Sequence, residues 1–454
     1  VVAPDQWDPP TALVFLEKLA LGGVEVERAR AGFAAAGKSY PAGTWVLRAA
    51  QPFRPYLVDL VEPQKYPDSK RPYDLAGWTF SMQMGVKLDR VNEPFEADLE
   101  RVERFDRAAS TRGAGPVLLL DHRQNAVFPA MSELVKAGAA VRWAASAFEA
   151  GGQSHPAGTV VVTGGAPESA QRHGADVIRV TGVPALPSWK IVSPRVALYQ
   201  PWVANMDQGW TEWLFDTFRV PYTLIHNDDF RKGDLGARFD TIVMASQAAT
   251  SILHGFRVGE TGTEREGRGE PREASNQRPE YAGGIGVAGL SHLEQFVRGG
   301  GTLVALESAG ELPLSYFPLS LSNAARSSGF SCPGSLLRIT VDPTQPVAYG
   351  MPSEAVAMST GGAAFQLTVA EAFNKGEREI RSVARFAAKD VLASGWVSGE
   401  KAILGRHAIV EARHGKGRVV LIGIRAQFRG QPHGTFKFVL NAAWLGSAKW
   451  EGEN

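Results

Sequence analysis

The chain has 454 residues, of which 44% are apolar and 21% are charged, and this composition excludes the disordered and fibrous classes of protein. Its 48 Lys and Arg residues balance 47 Asp and Glu residues, so no overall field draws the chain to nucleic acid or to an anionic membrane. The single cysteine, Cys332, excludes an internal disulfide framework and a zinc site built from cysteines.

The sequence shows no targeting or membrane-spanning pattern. No apolar run approaches the roughly 18 residues that a membrane span needs, and a signal-peptide pattern is absent from the start. The first residue is Val1 rather than Met, so we expect a mature form or a piece of a longer chain. The length predicts about two to four domains.

An internal repeat organises the first part of the chain. Residues 19–46 align without a gap with residues 134–161, and both segments contain Pro-Ala-Gly-Thr, at 41–44 and at 156–159. The pattern predicts a helix ended by glycine, followed by short strands on either side of a tight turn. Because the same glycines and turn residues demand the same backbone dihedrals, we expect the two segments to have superposable backbones.

The segments around the repeat predict how the first half is divided. Residues 116–120 read as a buried strand ahead of the second helix, and the order strand, helix, strand predicts a parallel sheet. Residues 51–90 are rich in proline and tyrosine, which predicts an ordered connection that packs its aromatic rings. The Gly- and Pro-rich segment 164–194 places the main boundary between a first domain, 1–190, and a second domain, 191–454.

From residue 195 onward the sequence predicts a regular alternation of strands and helices, which is typical of a doubly wound parallel sheet. Asp207 is expected to cap a helix that runs to about Phe218, with Trp210 and Trp213 on one face. The charged segment 259–280 predicts an exposed loop. The predicted strands are 195–199, 221–225, 240–245, 302–306, 336–341, 408–412 and 417–424, and the predicted helices include 287–297 and 435–445.

Glycine and histidine patterns predict no nucleotide or metal site. Residues 284–289 spell GxGxxG, but a dinucleotide site also needs a strand directly before the glycines, and a charged loop stands there. None of the nine histidines belongs to HExxH or has Glu three residues on. His226 is interpreted either as part of a polar helix N-cap or as a cation ligand. His122 is interpreted either as a residue at the ligand-binding end of a strand or as a surface residue.

The sharpest candidate for chemistry is the turn that follows strand 302–306. There a buried strand runs into Glu-Ser-Ala-Gly at 307–310, where a strand–turn–helix elbow would place a nucleophile. Ser308 would need a base within hydrogen-bond reach, and His433 is the candidate base. The alternative is that Glu307 and Ser308 cap the next element and that His433 is a buried hydrogen-bonding residue.

Polar residues also follow the predicted parallel strands, whose carboxyl ends share one edge of the sheet. We expect Asn205, Ser246, Ser308 and Glu307 to cluster there and to line a ligand-binding crevice. We expect that crevice to be catalytically idle, because serine has a high pKa and only an oriented base activates it. His433 is then expected to lie beyond hydrogen-bond reach of Ser308, or to be held by another partner.

Two further groups of residues carry open alternatives. Cys332 is either a nucleophile or a core residue, and nothing in its neighbourhood in the sequence would lower its pKa. Trp202, Trp210 and Trp213 either line a carbohydrate or peptide groove or pack in the core.

A resemblance to a known family is carried by long motifs along essentially the whole chain. The motifs are PFR at 52–54, EPQKYP at 62–67, PYD at 72–74, AGW at 76–78 and MGV at 84–86, with the longer stretches 202–213, 330–337 and 417–445. In these segments the chain resembles the region after the peptidase domain of large bacterial zinc carboxypeptidases. These are carboxypeptidase A-like metallopeptidases with long C-terminal extensions, and the last part of the extension is similar to class I glutamine amidotransferase-like domains.

The resemblance implies an α/β fold in two parts. A repeat-containing α/β region over 1–190 would precede a flavodoxin-like, glutamine amidotransferase-like domain with a doubly wound parallel sheet over 191–454. The family's zinc ligands, His-x-x-Glu and a distant His, and its catalytic Glu belong to the N-terminal domain and match no position here. The elbow also has Ser308 where glutaminases have Cys. No cofactor is therefore expected in this chain, and zinc would bind in the absent peptidase domain.

Together these inferences predict the non-catalytic C-terminal portion of a zinc carboxypeptidase-like metallopeptidase, periplasmic or secreted. Its partners would be the N-terminal peptidase domain of the same protein and a peptide or glycan, and not nucleic acid. One alternative is a stand-alone hydrolase that uses Ser308 and His433. Another is a small-ligand-binding module that uses the strand ends of the second domain.

Overall fold

The computed structural model describes most of the chain, and segment 259–280, predicted to be an exposed loop, lies outside the described residues. The described ranges are 1–66, 70–105, 109–202, 204–255, 281–326, 329–368, 375–376 and 379–452. No helix within these ranges is both long and apolar enough to span a membrane.

The first region packs three helices on a small antiparallel sheet. Its elements are α1 (Pro9–Leu21), β1 (Glu27–Ala29), β2 (Phe33–Ala35), β3 (Lys38–Tyr40), β4 (Trp45–Val46), α2 (Arg54–Val61), α3 (Phe80–Met84) and β5 (Leu99–Arg101). Strands β4, β1 and β5 form the sheet in that order, and β2 and β3 form a hairpin. Asp8 caps α1, because its carboxylate accepts a hydrogen bond of 3.1 Å from the Thr11 N–H.

The proline-rich connection after this first copy is ordered as predicted over its described part, since it contains α2 and α3. The prediction that it packs its aromatic rings is wrong for Tyr73, whereas the ring of Tyr56, although 41% exposed, lies against Gly22. Tyr56 and Tyr66 are exposed, and Tyr73 is 93% exposed.

The second region contains the second copy of the repeat. Its elements are β6 (Thr111–Gly113), β7 (Val117–Leu120), α4 (Val127–Lys136), β8 (Ala140–Ala144), β9 (Phe148–Ala150), β10 (Gln153–His155), β11 (Val160–Thr163), α5 (Pro167–Gln171), β12 (Val177–Val180) and β13 (Ser188–Ile191). The prediction of a parallel sheet is wrong here. The hairpin β9–β10 and the turn after it return the chain so that β11 lies between β7 and β8, antiparallel to both.

The predicted repeat is confirmed, because every element from β1 to β4 recurs 115 residues later as β8 to β11. The helix-ending and turn glycines have matching φ angles in the two copies: Gly23 94° and Gly138 86°, Gly37 73° and Gly152 74°, Gly43 85° and Gly158 86°. In both turns the threonine hydroxyl donates to the proline carbonyl, at 2.8 Å in the first copy and 2.7 Å in the second. The shared dihedrals need φ above zero, which is why glycine recurs at these positions.

The third region is built on one large sheet. Its elements are β14 (Val196–Tyr199), α6 (Met206–Thr217), β15 (Tyr222–Ile225), α7 (Asn227–Lys232), α8 (Leu235–Arg238), β16 (Thr241–Met244), α9 (Ala249–His254), α10 (Gly286–Arg298), β17 (Thr302–Leu306), α11 (Glu311–Tyr316), β18 (Leu321–Asn323), β19 (Ser335–Val341), β20 (Glu354–Ser359), β21 (Phe365–Leu367), β22 (Ile380–Phe386), β23 (Leu392–Ser394), β24 (His407–His414), β25 (Gly417–Ile422), α12 (Phe436–Leu445) and β26 (Lys449–Glu451). The final strand, β26, pairs with β13 and so returns to the sheet of the second region.

The sheet of the third region confirms the predicted α/β, flavodoxin-like class. Strands β15, β14, β16, β17 and β25 are neighbours in that order and all run parallel. Numbered along the chain, this is the order 2-1-3-4-5 of flavodoxin-like sheets. Side chains alternate between two cores: Val196 and Leu198 pack with α6 and α12, whereas Ala197 and Tyr199 pack with α7 and α10. The sheet is therefore covered by helices on both faces, and antiparallel strands from β24 onward extend it.

Helix α6 differs from its prediction at its N-cap. Its N-cap is Asn205 rather than Asp207, since the Asn205 side chain accepts the Gln208 N–H at 3.2 Å. Trp213 is 42% exposed, but its ring contacts Phe436, as the ring of Phe218 does, with 6.1 Å and 5.8 Å between centroids. Because Asp207 is not the N-cap, its carboxylate is available for a different contact.

Candidate functional site

The turn after β17 is strained at Glu307 rather than at Ser308. Glu307 has a φ of 46°, a left-handed backbone that residues other than glycine rarely adopt. It directly follows the fully buried strand β17 and begins a short 3₁₀ turn at 307–310. A strand that ends in a strained turn is the geometry of a nucleophile elbow, and here a carboxylate occupies the strained position.

The Glu307 carboxylate is buried and held on both oxygens. Its side chain is 4% exposed, and its Oε2 accepts hydrogen bonds of 2.8 Å from Ser246 Oγ and of 2.8 Å from Arg425 Nη1. Its Oε1 accepts a hydrogen bond from the Thr360 hydroxyl. A Cβ at Gly362 would lie 2.5 Å from Glu307 Cγ, so only glycine leaves room for this side chain.

Arg425 links this carboxylate to a second one, that of Asp207. Its Nη2 donates to Asp207 Oδ2 at 3.0 Å, and the side chains of Arg425 and Asp207 are each 13% exposed. Burial raises the pKa of Asp207 to about 6, against the opposing attraction of Arg425 and with a further rise from the negative charge of Glu307. We call Asp207, Ser246, Glu307, Thr360 and Arg425 the elbow cluster.

Most of the elbow cluster stands where ligands of parallel sheets bind. Ser246, Glu307 and Arg425 follow the carboxyl ends of β16, β17 and β25, and Asp207 lies on the helix after β14. Aromatic rings border Arg425, whose guanidinium carbon lies 5.7 Å from the Trp210 ring centroid and 5.0 Å from that of Phe428. The site combines two carboxylates, one guanidinium and two hydroxyls under an aromatic wall.

The structure brings together three of the four residues predicted to line this edge. Asn205 Nδ2 donates to the Ser246 carbonyl at 3.1 Å, and the Ser246 hydroxyl donates to Glu307. Ser308 is half-buried, and within the described residues its hydroxyl joins none of these hydrogen bonds. The sequence patterns did not indicate Thr360 or Arg425 as site residues, and they indicated only a helix-capping role for Asp207. The position of Arg425 just beyond a predicted strand was the one available signal.

His433 lies in a different environment, at the start of α12. Its ring packs on Phe436 with 4.6 Å between centroids, and its carbonyl accepts a hydrogen bond of 3.0 Å from Asn125 Nδ2. Burial and the nearby Lys437 and Lys18 lower its pKa to about 4. Within the described ranges no hydrogen bond joins His433 to Ser308, so the nucleophile–base pair is not assembled in this structure.

Lys437, close to His433, is the centre of a second buried polar group. Lys437 is 2% exposed, its Nζ donates to Asn125 Oδ1 at 2.7 Å, and it lies 3.7 Å from Asp8 Oδ2. The same Asp8 oxygen accepts hydrogen bonds from Thr11 Oγ1 at 2.7 Å and from the Asn125 N–H at 2.9 Å. Burial lowers the pKa of Lys437, and Asp8 opposes that shift. We call Asp8, Thr11, Asn125 and Lys437 the junction cluster, because it joins all three regions.

The other predicted histidines and the cysteine are structural. His122 is 2% exposed, so it is not a surface residue. Its ring nitrogens bond the Gly158 carbonyl and Asn441 Oδ1, each at 2.8 Å, and burial lowers its pKa to about 4. His226 is the N-cap of α7 and stacks on Trp202 with 3.9 Å between centroids. Cys332 is 3% exposed, and burial raises the pKa of its thiol.

The glycine motif at 284–289 lies where a loop runs into helix α10. Gly286 begins α10, and a Cβ at Gly289 would lie 2.9 Å from the Phe230 Cβ, so this glycine allows close helix packing. The Gly284 carbonyl accepts a hydrogen bond of 3.0 Å from Arg231 Nε. Of the tryptophans, Trp210 packs against Phe428, whereas Trp202 is 37% exposed near the carboxyl edge of the sheet.

A cavity of about 500 Å³ opens at the opposite edge, where β16 and β17 begin. It is lined by Asp234, Phe239, Asp240, His292, Phe296 and Gly301, among others. Its Asp240 is paired with Arg195 at 2.6 Å, and its His292 Nδ1 bonds the Phe230 carbonyl at 2.8 Å. Because ligands of open parallel sheets bind at the carboxyl ends of strands, we take the elbow cluster as the candidate site.

Comparisons with known proteins give distant structural likenesses. No protein-family model matches the chain, and no curated protein matches it. A putative ThuA-like protein from Bacteroides uniformis is 13% identical, with a TM-score of 0.31, and the match covers 55% of this chain and 89% of that one. A putative GMP synthase component from Thermoplasma acidophilum is 10% identical, with a TM-score of 0.33, over 56% of this chain and 95% of that one. PurLQS from Thermotoga maritima is 12% identical, with a TM-score of 0.35, over 56% of this chain and all of that chain, 100%.

The flavodoxin-like fold of the second half of the chain is assigned from its own sheet and not from these likenesses. The parallel order β15, β14, β16, β17, β25 is the observation on which that fold assignment rests. The link to the zinc carboxypeptidases stays a prediction from the sequence motifs.

Proposed function

We propose that this chain is a non-catalytic, ligand-binding portion of a zinc carboxypeptidase-like protein, with its ligand site at the elbow cluster. The ligand would be a peptide or glycan, and the chain would also support a peptidase domain outside the cytoplasm. The observation that carries the proposal is the strained elbow, where Glu307 stands with its carboxylate buried and held by Ser246, Thr360 and Arg425.

The chemistry of the elbow argues against acyl transfer. A serine nucleophile needs a base within hydrogen-bond reach, and the candidate base, His433, packs on Phe436 at α12 instead. The negative charge of Glu307 would also repel the oxyanion that forms when a nucleophile attacks a carbonyl group, whereas catalysts place donors there. A carboxylate fixed by a guanidinium is suited to holding polar groups of a bound ligand.

We expect Ser308→Ala to leave no measurable difference in hydrolysis, because within the described part of the chain no base hydrogen-bonds to Ser308. The measurement is turnover of p-nitrophenyl acetate and of L-glutamine by the wild-type protein and by the variant, with both expected at the buffer rate. Ser291→Ala is the matched control, since Ser291 is an exposed serine on α10. Turnover that disappears in Ser308→Ala and persists in Ser291→Ala would contradict the proposal in favour of a hydrolase.

We also expect the purified chain to hold no stoichiometric zinc and to release no C-terminal residue from peptides. The sequence lacks His-x-x-Glu, and catalytic zinc needs three protein ligands. Metal analysis after dialysis, with a peptide digest followed by mass spectrometry, measures both. One tightly held zinc per chain would contradict the prediction. The DNA upstream of the codon for Val1 tests the peptidase partner, since an in-frame peptidase domain with His-x-x-Glu is expected there.

A further inference from the structure

One edge of the sheet in the second region is an exposed strand. Strand β26 is the outermost strand in the order β26, β13, β8, β11, β7, β12, β6, and in the part of the chain that the structure describes it pairs with β13 alone. Its three residues, Lys449, Trp450 and Glu451, are all exposed. The outer side of an edge strand offers backbone N–H and C=O groups to another strand that can add to the sheet.

A row of tryptophans crosses the sheet and ends at this edge. Trp189 of β13 lies opposite Trp143 of β8 on one side and opposite Trp450 of β26 on the other. The ring centroids of Trp189 and Trp450 are 5.0 Å apart. Trp143 is fully buried, whereas Trp450 is 40% exposed. The row therefore leaves the core and ends in a large aromatic side chain at the open edge, where a further cross-strand aromatic residue would stabilise it.

On the opposite face of the sheet a row of three cations ends at the same edge. Arg142, Lys190 and Lys449 lie directly opposite one another on β8, β13 and β26. Within the described residues none of the three makes an ion pair with a carboxylate. Like charges directly opposite on neighbouring strands are unfavourable, so a carboxylate at the next position outward would offset their repulsion.

We propose that β26 pairs antiparallel with β26 of a second copy of this chain, about a two-fold axis that passes through Trp450. In that register Trp450 lies opposite its own copy, and Lys449 of each chain lies opposite Glu451 of the other. The row of Arg142, Lys190 and Lys449 then ends on a carboxylate, and the row of tryptophans continues into the second copy. The inference does not depend on the proposed function.

The charges of β26 select a second copy over an unrelated strand. Charged residues on an edge strand usually hinder pairing with other chains. Lys449 and Glu451 stand symmetrically about Trp450, so they repel a strand with like charges at the facing positions and attract a copy of their own. Three residues make a short interface, and we therefore expect a dissociation constant of about 1 to 100 µM for the dimer.

Sedimentation velocity of the purified chain at about 1 to 100 µM tests the inference, and the wild type is expected to pass from monomer to dimer in this range. Lys449→Glu and Glu451→Lys each replace attraction by repulsion at both symmetric contacts, so each should weaken the dimer at least about tenfold. Lys449→Glu is expected to fold, because residue 449 lies opposite Lys190 in its own chain. The double variant restores opposite charges and should dimerise within about threefold of the wild type.

Arg112→Glu is the matched control, because Arg112 is exposed on β6, the strand at the other edge of the same sheet. It is expected to dimerise as the wild type does. A wild-type chain that stays monomeric up to about 100 µM, or a dimer that Lys449→Glu leaves unchanged, would overturn the inference. A dimer that both single variants weaken and the double variant does not restore would overturn it too, because the two charges would then not face each other.

Discussion

Replacing Asp8 with alanine is expected to lower the free energy of unfolding by about 4 kcal/mol, because Lys437 would remain buried without its carboxylate partner. The same change removes the acceptor of the Thr11 and Asn125 N–H groups, which lie within the protein. Removing one partner of a buried pair costs far more than the pair contributes, because the remaining charge has no water around it. Urea unfolding followed by tryptophan fluorescence measures the change.

Two further variants separate the lost charge pair from general damage. Lys437→Met also strands a buried charge, that of Asp8, but it keeps most of the side-chain volume and Asp8 keeps its hydrogen bonds from Thr11 and Asn125. We therefore expect a loss of about 2 kcal/mol, smaller than that of Asp8→Ala. In Asp8→Ala/Lys437→Met no buried charge is stranded, so the double variant should be more stable than Asp8→Ala by at least about 1 kcal/mol. If Asp8→Ala costs no more than Lys437→Met, the junction cluster does not depend on this pair.

The junction cluster also shows what local sequence patterns fail to reveal. The runs at 240–245 and 302–306 predicted buried parallel strands correctly, because every side chain of such a strand faces a core and the pattern is local. The repeat was predictable for the same reason, since its glycines and turns act within a few residues. Asp8 and Lys437 lie at opposite ends of the chain, and nothing near either residue indicates that they pair.

The elbow was predicted to within one residue. The end of β17 at Leu306 follows from its apolar run, but the choice of Glu307 over Ser308 as the strained residue depends on contacts with Ser246, Thr360 and Arg425. Likewise, the alternation of polar and apolar residues does not specify which strands β11 pairs with. Its position between β7 and β8 depends on which strand edges are unpaired when the chain returns to the sheet.

The second large effect is expected in the pH dependence of stability, through Asp207. Burial raises the pKa of this carboxyl from 3.8 to about 6 in the folded protein, and the charged groups that act on it are Arg425 and Glu307. Between these two pKa values the folded state holds a proton on Asp207 that the unfolded state releases. Lower pH therefore favours folding in this range. The contribution is fully present below about pH 4 and is lost as the pH rises through about 6.

The size of this effect is measured by comparing the wild type with Asp207→Asn. One pKa unit corresponds to about 1.4 kcal/mol, so the stability of the variant relative to the wild type should rise by up to about 3 kcal/mol between pH 4 and pH 7. Urea unfolding of both proteins across this range gives the difference, in which the other titrating groups cancel. Asp216→Asn, which replaces an exposed carboxylate on the same helix, is the matched control. A relative stability of Asp207→Asn that falls with rising pH would mean that attraction to Arg425 outweighs the cost of burial, and it would contradict this prediction.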